Sequence, residues 1–269
     1  MKSKVELSDN FVFKYNTSRY SSGLEWVTEL LSINHQRELR VYSWHVKNKC
    51  RYLLIPKIYE MSNTHLKLEK LTETNKPVPS VFNLIPNIIE FSLLGYGKKR
   101  KISDFISSPS QSVVRGILKN FKFLGFKIIQ STFLNLFKLY KFKPTYNKSY
   151  LIHKDLKINQ NMVNTSKGVY FIDFGSSIIT KNYFLADIVE LATDHYNFKV
   201  NFELIKEYVI KINAKDLSID YLRSQLYLLL LRRYLHFSKV GWADTNNMIK
   251  VKKFLSNLDD LVLNLKFNK

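Results

Sequence analysis

Two short segments of this 269-residue chain carry the side chains best suited to chemistry. His153-Lys154-Asp155-Leu156 follows the apolar Tyr150-Leu151-Ile152 and leads into a polar loop. A hairpin comes next, with strand-like Asn161-Met162-Val163 and Val169-Tyr170-Phe171-Ile172 joined through Asn164 to Gly168, and then Asp173 in Ile172-Asp173-Phe174-Gly175. Two carboxylates leaving loops beside short buried strands are what magnesium-dependent phosphoryl transfer requires. One must accept or orient the proton of an attacking hydroxyl. The other must ligate Mg2+, a hard ion that takes one or two carboxylates together with phosphate oxygens and water. A nearby amide oxygen can complete a second metal position.

On these residues a resemblance rests. His153-Lys154-Asp155-Leu156-Lys157 followed by Asn161-Met162-Val163 resembles the catalytic loop of kinases, including the aminoglycoside and choline phosphotransferases. Ile172-Asp173-Phe174-Gly175 resembles their metal-binding loop, and the separation of the two aspartates suits that family. The resemblance implies that Asp155 is the catalytic base, that Asn161 and Asp173 are metal ligands, and that His153 supports the loop backbone. It implies ATP and Mg2+ as the cofactors. The family places its asparagine five positions after the aspartate, where this chain has Gln160; Asn161 fits if the loop holds one extra residue, and Asn159 and Gln160 stay open as ligands. Ala186-Asp187-Ile188 resembles the family's aspartate-bearing helix start, where Asp187 would bond catalytic-loop backbone; the plain alternative is a carboxylate favoured by the helix dipole.

Upstream, Lys14 in Phe11-Val12-Phe13-Lys14-Tyr15 resembles the strand lysine that contacts ATP phosphates. Glu38 resembles its ion-pair partner on the following helix, with Glu29 as competitor. Ile55-Pro56-Lys57-Ile58-Tyr59 resembles the family's proline-led strand, and Leu66 to Leu71 its strand into the hinge. Thirteen residues precede Lys14, too few for the family's usual two-strand hairpin and glycine-rich loop, and no G-x-G-x-x-G occurs. Residues Thr17 to Gly23 could cover the nucleotide instead. If nothing does, a catalytically inactive, kinase-like binding module is the reading that follows.

The elements that must position these residues can be read from pattern. Phe11–Tyr15, Tyr52–Tyr59 and His65–Leu71 read as strands, and Leu24–Ile33 and Gln36–Val46 as helices. Thr72–Ser80, with Pro77 and Pro79, reads as a hinge. Beyond it, Val81–Leu94 and Ser110–Tyr140 carry helical patterns, with Pro86 bending or ending the first, and Tyr221–Phe237 reads as a strongly amphipathic helix. The fold expected is α+β and two-lobed, of protein-kinase-like type: a shortened N-terminal sheet lobe over 1–75, which would clamp nucleotide, and a mainly helical C-terminal lobe over 76–269, with the catalytic and metal loops and the acceptor site.

Composition narrows the partners. Lys and Arg number 42 against 22 Asp and Glu, a net charge of +20, which attracts polyanions at long range. Lys119 to Lys143 interleaves seven aromatic residues with six lysines. It could lie on an anionic membrane, bind nucleic acid by stacking, or be a core helix with snorkelling lysines; nucleic acid is the least expected partner. Cys50 is the single cysteine, which excludes an internal disulfide and fits a reducing compartment. No secretory signal or membrane span is visible, so a cytoplasmic protein, peripheral at most at the inner membrane face, is expected. The short segment from Gly175 to Asp187 lacks Ala-Pro-Glu and leaves little room for a protein kinase's activation segment. The acceptor expected is therefore non-protein: a lipopolysaccharide or surface-glycan sugar, or else an aminoglycoside- or choline-type small molecule.

Overall fold

The computed structural model describes residues 4–15, 33–75, 79–121, 124–144, 148–158, 160–194, 197–213, 217–237, 245–265 and 267. The expected helix Leu24–Ile33 lies outside them except for its last residue, and so does the middle of the expected hinge. The chain divides into two compact units, residues 1–94 with 153–178, and residues 95–152 with 179–269.

The first unit is built on a four-stranded antiparallel sheet in the order β1-β2-β4-β3. Its strands are β1 (Lys4–Leu7), β2 (Phe11–Tyr15), β3 (Ile58–Met61) and β4 (His65–Glu69). β2 is central, with Lys14 registered on Val5 to one side and on Leu66 to the other. Period-two alternation in β4 buries Leu66 and Leu68 and puts the half-buried His65, Lys67 and Glu69 on the opposite face. Between β2 and β3 comes α1 (Ile33–Lys47), which buries Glu38, Val41 and Tyr42 on one face.

The strand expected from Tyr52 forms only from Ile58 onward. The preceding backbone is committed elsewhere: the Glu90 carboxylate accepts from the amides of Arg51, Tyr52 and Leu53 at 2.9, 2.7 and 2.6 Å. Glu90 sits on α2 (Ile85–Leu93), which follows a short 3-10 turn. Pro86 does not end this helix but begins it, because a proline in the first turn lacks only an N–H that would be unpaired there anyway. β6 (Met162–Thr165) and β7 (Gly168–Phe171) form a hairpin whose turn needs Gly168 at φ +133°. The Phe171 amide donates to the Leu54 carbonyl at 2.9 Å, which ties that hairpin to the first stretch of chain.

The second unit is mainly helical. It holds α3 (Ile102–Ile106), α4 (Pro109–Asn120), α5 (Phe126–Lys141), α6 (Ala186–Ala192), α7 (Phe202–Lys211), α8 (Ile219–Phe237), α9 (Thr245–Ser256) and α10 (Leu258–Leu263). β5 (Tyr150–Ile152) pairs with β8 (Ile178–Thr180), and β9 (Thr193–Asp194) with β10 (Lys199–Val200). The long helical pattern from Ser110 breaks into α4 and α5, with Gly125 in extended geometry as the cap of α5. α8 is not amphipathic in the way its sequence suggests. α4, α5, α6 and α10 all pack on it, and it is buried from Tyr221 to Leu231 apart from Arg223. A helix buried on every side, even at polar Ser224 and Gln225, is a core helix.

Where β5 begins, the chain passes Gly95 with no room for a side chain: a Cβ there would stand 2.2 Å from the Leu151 amide nitrogen and 2.5 Å from the Tyr150 carbonyl carbon. Backbone cannot step aside as a side-chain tip can. We expect Gly95→Ala to lower stability by about 3 kcal/mol or more, seen as a fall of several degrees in the thermal unfolding midpoint, whereas Gly97→Ser, at an open and exposed position, costs only about 1–2 kcal/mol, from its φ of +70° and not from a clash.

Candidate active site

In the first unit the side chains singled out from sequence converge from three directions. Lys14 projects from β2 and Glu38 from α1, and Nζ donates to Glu38 Oε1 at 2.7 Å. The same Nζ lies 3.7 Å from Asp173 Oδ1. Glu38 is buried and Lys14 mostly so, with side-chain exposures of 6% and 15%, while Asp173 is 61% exposed. The lysine therefore stands between an interior carboxylate and one open to solvent. Burial pulls the Lys14 pKa down, but the charges of Glu38 and Asp173 and their hydrogen bonds more than offset this, so the ammonium titrates above its ordinary 10.5.

The loops bearing Asp155 and Asp173 are joined at their bases. His153 is fully buried, and its Nε2–H donates to the Ile172 carbonyl at 2.9 Å. The two residues beside this bond take left-handed backbone conformations, Lys154 at φ +69° and Asp173 at φ +61°. Each costs on the order of 1–2 kcal/mol for an L-residue, least for an aspartate, and the surroundings must hold it. They do so with packed rings. Phe174 meets Tyr42 edge-on at 5.3 Å, His153 at 5.5 Å and Phe91 nearly parallel at 5.6 Å. Phe91 in turn contacts His153 at 5.7 Å and Phe171 at 6.1 Å. Both loops and α1 thus share one apolar column. Tyr42 is completely buried in it, and burial, followed by the charges of Glu38 and Asp173, drives its hydroxyl well above its ordinary pKa.

Asp155 is 45% exposed, with Lys157 Nζ at 2.6 Å from its Oδ1. Asn161 is buried, and its backbone is fixed on both sides: its amide donates to the Lys157 carbonyl at 3.1 Å, and its carbonyl accepts from the Ile172 amide at 3.0 Å. That second bond sets Asn161 opposite the residue just before Asp173. The Asn161 Oδ1 is buried and has no hydrogen-bond partner among the described residues. A buried acceptor left without a donor is costly, and a hard cation would satisfy it. Gln160 is exposed, and Asn159 lies outside the described residues. No cluster of three or more His, Cys, Asp or Glu side chains occurs among the described residues. Magnesium needs none, since one carboxylate and one amide oxygen with phosphate and water complete its shell. The residues present fit the ion.

Sequence reading misses two members of this group. Lys157 is part of the motif but carries no assigned part there, although a lysine two residues from an aspartate in a loop is a visible signal. Tyr42 gives no signal beyond its place on a helix face, four residues after Glu38. Asp187 belongs to the second unit, fully buried in the first turn of α6. Thr17 to Gly23 and Glu29 lie outside the described residues.

A sheet-bearing part, a helical part, and paired loops carrying these two aspartates define a protein-kinase-like fold, and solved structures agree. APH(2'')-IIa in a ternary complex with streptomycin and ATP has a TM-score of 0.53 and 14% identity, over 94% of this chain and 89% of that one. A candidate fructosamine-3-kinase from Haemophilus somnus 129PT gives 0.56 and 15%, over 96% and 91%. An ethanolamine kinase from Plasmodium vivax gives 0.52 and 12%, over 97% and 82%. At this identity the likeness is one of fold. No family profile and no curated protein sequence matches the chain.

Removing one member of a buried pair strands the other. We expect Lys14→Met to cost about 3–5 kcal/mol, measured by chemical denaturation. Because the folded pKa lies above 10.5, the pair's contribution is fully present below that value and is lost as pH rises through the raised one. The gap between wild type and Lys14→Met should therefore stay constant through neutral pH and close only at strongly alkaline pH.

Proposed function

We propose that this chain is an ATP- and Mg2+-dependent phosphotransferase that phosphorylates a hydroxyl of a non-protein acceptor. The observation that carries this reading is the chain of contacts in the first unit from Glu38 through Lys14, at 2.7 Å, to the exposed Asp173 carboxylate at 3.7 Å, together with the unpartnered Oδ1 of Asn161, whose backbone carbonyl accepts from the residue just before Asp173. Asn161 and Asp173 would hold Mg2+, which when bound neutralises charge on the phosphate oxygens. Lys14, kept charged by its two carboxylates, would bind the phosphates of ATP, and Glu38 would hold Lys14 in place. Asp155 would accept the acceptor's proton as the hydroxyl oxygen bonds to the γ-phosphorus and ADP leaves. Lys157 at 2.6 Å sets a positive charge beside Asp155 and holds its carboxylate in the loop. His153 would act as a positioning residue through Ile172.

For the acceptor we infer a sugar hydroxyl of a lipopolysaccharide or related surface glycan, with the enzyme acting in the cytoplasm at the inner membrane face. The net charge of +20 supports an anionic acceptor. A second reading, phosphorylation of a small aminoglycoside- or choline-type molecule, is supported by the streptomycin-bound and ethanolamine kinase neighbours. A cationic acceptor of that kind would have to approach against the chain's long-range field. A third reading, an inactive kinase-like binding module, follows from the lack of a G-x-G-x-x-G segment.

The test is ADP release with Mg-ATP and a panel of acceptors: core oligosaccharides, aminoglycosides, choline and ethanolamine. We expect turnover with an oligosaccharide, lowered by roughly 10²- to 10⁴-fold in Asp155→Asn and abolished in Asp173→Ala. Turnover with amines alone would favour the second reading. No turnover with any acceptor, alongside retained nucleotide binding, would favour the third.

A further inference from the structure

One surface of the second unit runs against the logic of a soluble helix. In α5 four aromatic rings face outward, while Thr132 and Asn135 lie with Ile128 and Leu139 on the buried side. Phe126, Phe133, Phe137 and Tyr140 are 79%, 59%, 62% and 50% exposed. Thr132 is fully buried and Asn135 nearly so, their hydrogen atoms spent on the Ile128 and Ser131 carbonyls one turn back. The spacing of the four rings places them along a single stripe of the helix. A surface helix with its aromatic stripe toward water needs an explanation outside the folded chain.

The charge around the stripe says what covers it. From Phe105 to Lys154, fifty consecutive residues contain no Asp or Glu, and nine are Lys or Arg. Lys127 and Lys141 flank the stripe and are exposed, and Lys141 Nζ lies 5.9 Å from the Phe137 ring centre. A second copy of this face would bring lysines against lysines. Nucleic acid would be met by rings at the centre and charges only at the margin, the reverse of a groove that tracks phosphates. A bilayer with anionic headgroups satisfies both features, taking the rings below the headgroups and the lysines among them. No helix of the described residues is long and apolar enough to cross a membrane, so the contact is one of lying on the surface.

We propose that the outward face of α5 docks this protein on an anionic lipid surface. The proposal goes beyond phosphotransfer and does not rest on it, because none of these residues belongs to the candidate active site.

The experiment is co-sedimentation of the full chain with vesicles of phosphatidylglycerol and phosphatidylcholine, or of phosphatidylcholine alone. We expect binding to the mixed vesicles only, weakened at about 1 M salt, where the screening length falls to about 3 Å. Combined Phe126→Ser, Phe133→Ser and Phe137→Ser should reduce it at least about tenfold, since interfacial binding scales with buried apolar area, with the thermal unfolding midpoint unchanged. As a second reading, the single variant Phe133→Trp should show, relative to wild type, added emission that shifts to the blue on mixed vesicles and is quenched by brominated lipid. No binding by the wild type overturns the proposal, as does binding untouched by the triple change with the emission added by Phe133→Trp unshifted. So does a dimer that the triple change dissociates, or RNA binding that depends on the three rings while vesicle binding does not.

Discussion

The bond from His153 to the Ile172 carbonyl is the constraint on which the rest of the candidate site depends. It spans 19 residues of sequence and joins the backbones from which Asp155 and Asp173 project. On either side of it the chain adopts left-handed conformations at Lys154 and Asp173, which aim the two loops in directions that extended or helical backbone would not allow. Its imidazole end is fully buried, which shields the bond from water on that side. The rings of Phe91 and Phe174 pack on the imidazole, and Phe171 and Tyr42 pack in turn on those two rings. Backbone strain of this kind persists only where packing over-determines it, and here packing does.

A second constraint is electrostatic. Lys14 lies on the central strand of a small sheet and would be costly to bury alone. Glu38 compensates it from α1, and Asp173 extends the pair toward solvent. Tyr42 belongs to both constraints, since it lies one turn after Glu38 on α1 and touches Phe174. The position of α1 thereby governs the charge pair and the aromatic column together.

How much of this could be read from the sequence depended on how local each signal was. The two loops were legible because residue type and spacing alone mark them, and β2, α1 and the β6–β7 hairpin followed from period and turn chemistry. The choice among Asn159, Gln160 and Asn161 was not legible. What separates Asn161 from Gln160 is a backbone bond to Ile172 and the burial that comes with it, and both arise from a partner eleven residues away. The late start of β3 was hidden for a similar reason: Glu90, far along the chain, takes the amides of Arg51 to Leu53. Pro86 could be read as a terminator or an initiator, and only the preceding 3-10 turn decides. For α8 the amphipathic pattern misled, because the four helices packed on it bury every residue from Tyr221 to Leu231 apart from Arg223. In α5 the aromatic and lysine content was plain, but its outward orientation was not, since Thr132 and Asn135 on the buried side look like surface residues in sequence.

The central claim is that Lys14, Glu38, Asn161 and Asp173 form one site for Mg-ATP. Calorimetric titration of the full chain with ATP, with and without Mg2+, tests it most directly. The account requires one nucleotide per chain, tighter with Mg2+ than without, with the Mg2+ dependence lost in Asn161→Ala. Binding that is indifferent to Mg2+, or equal in wild type and Asn161→Ala, would contradict it.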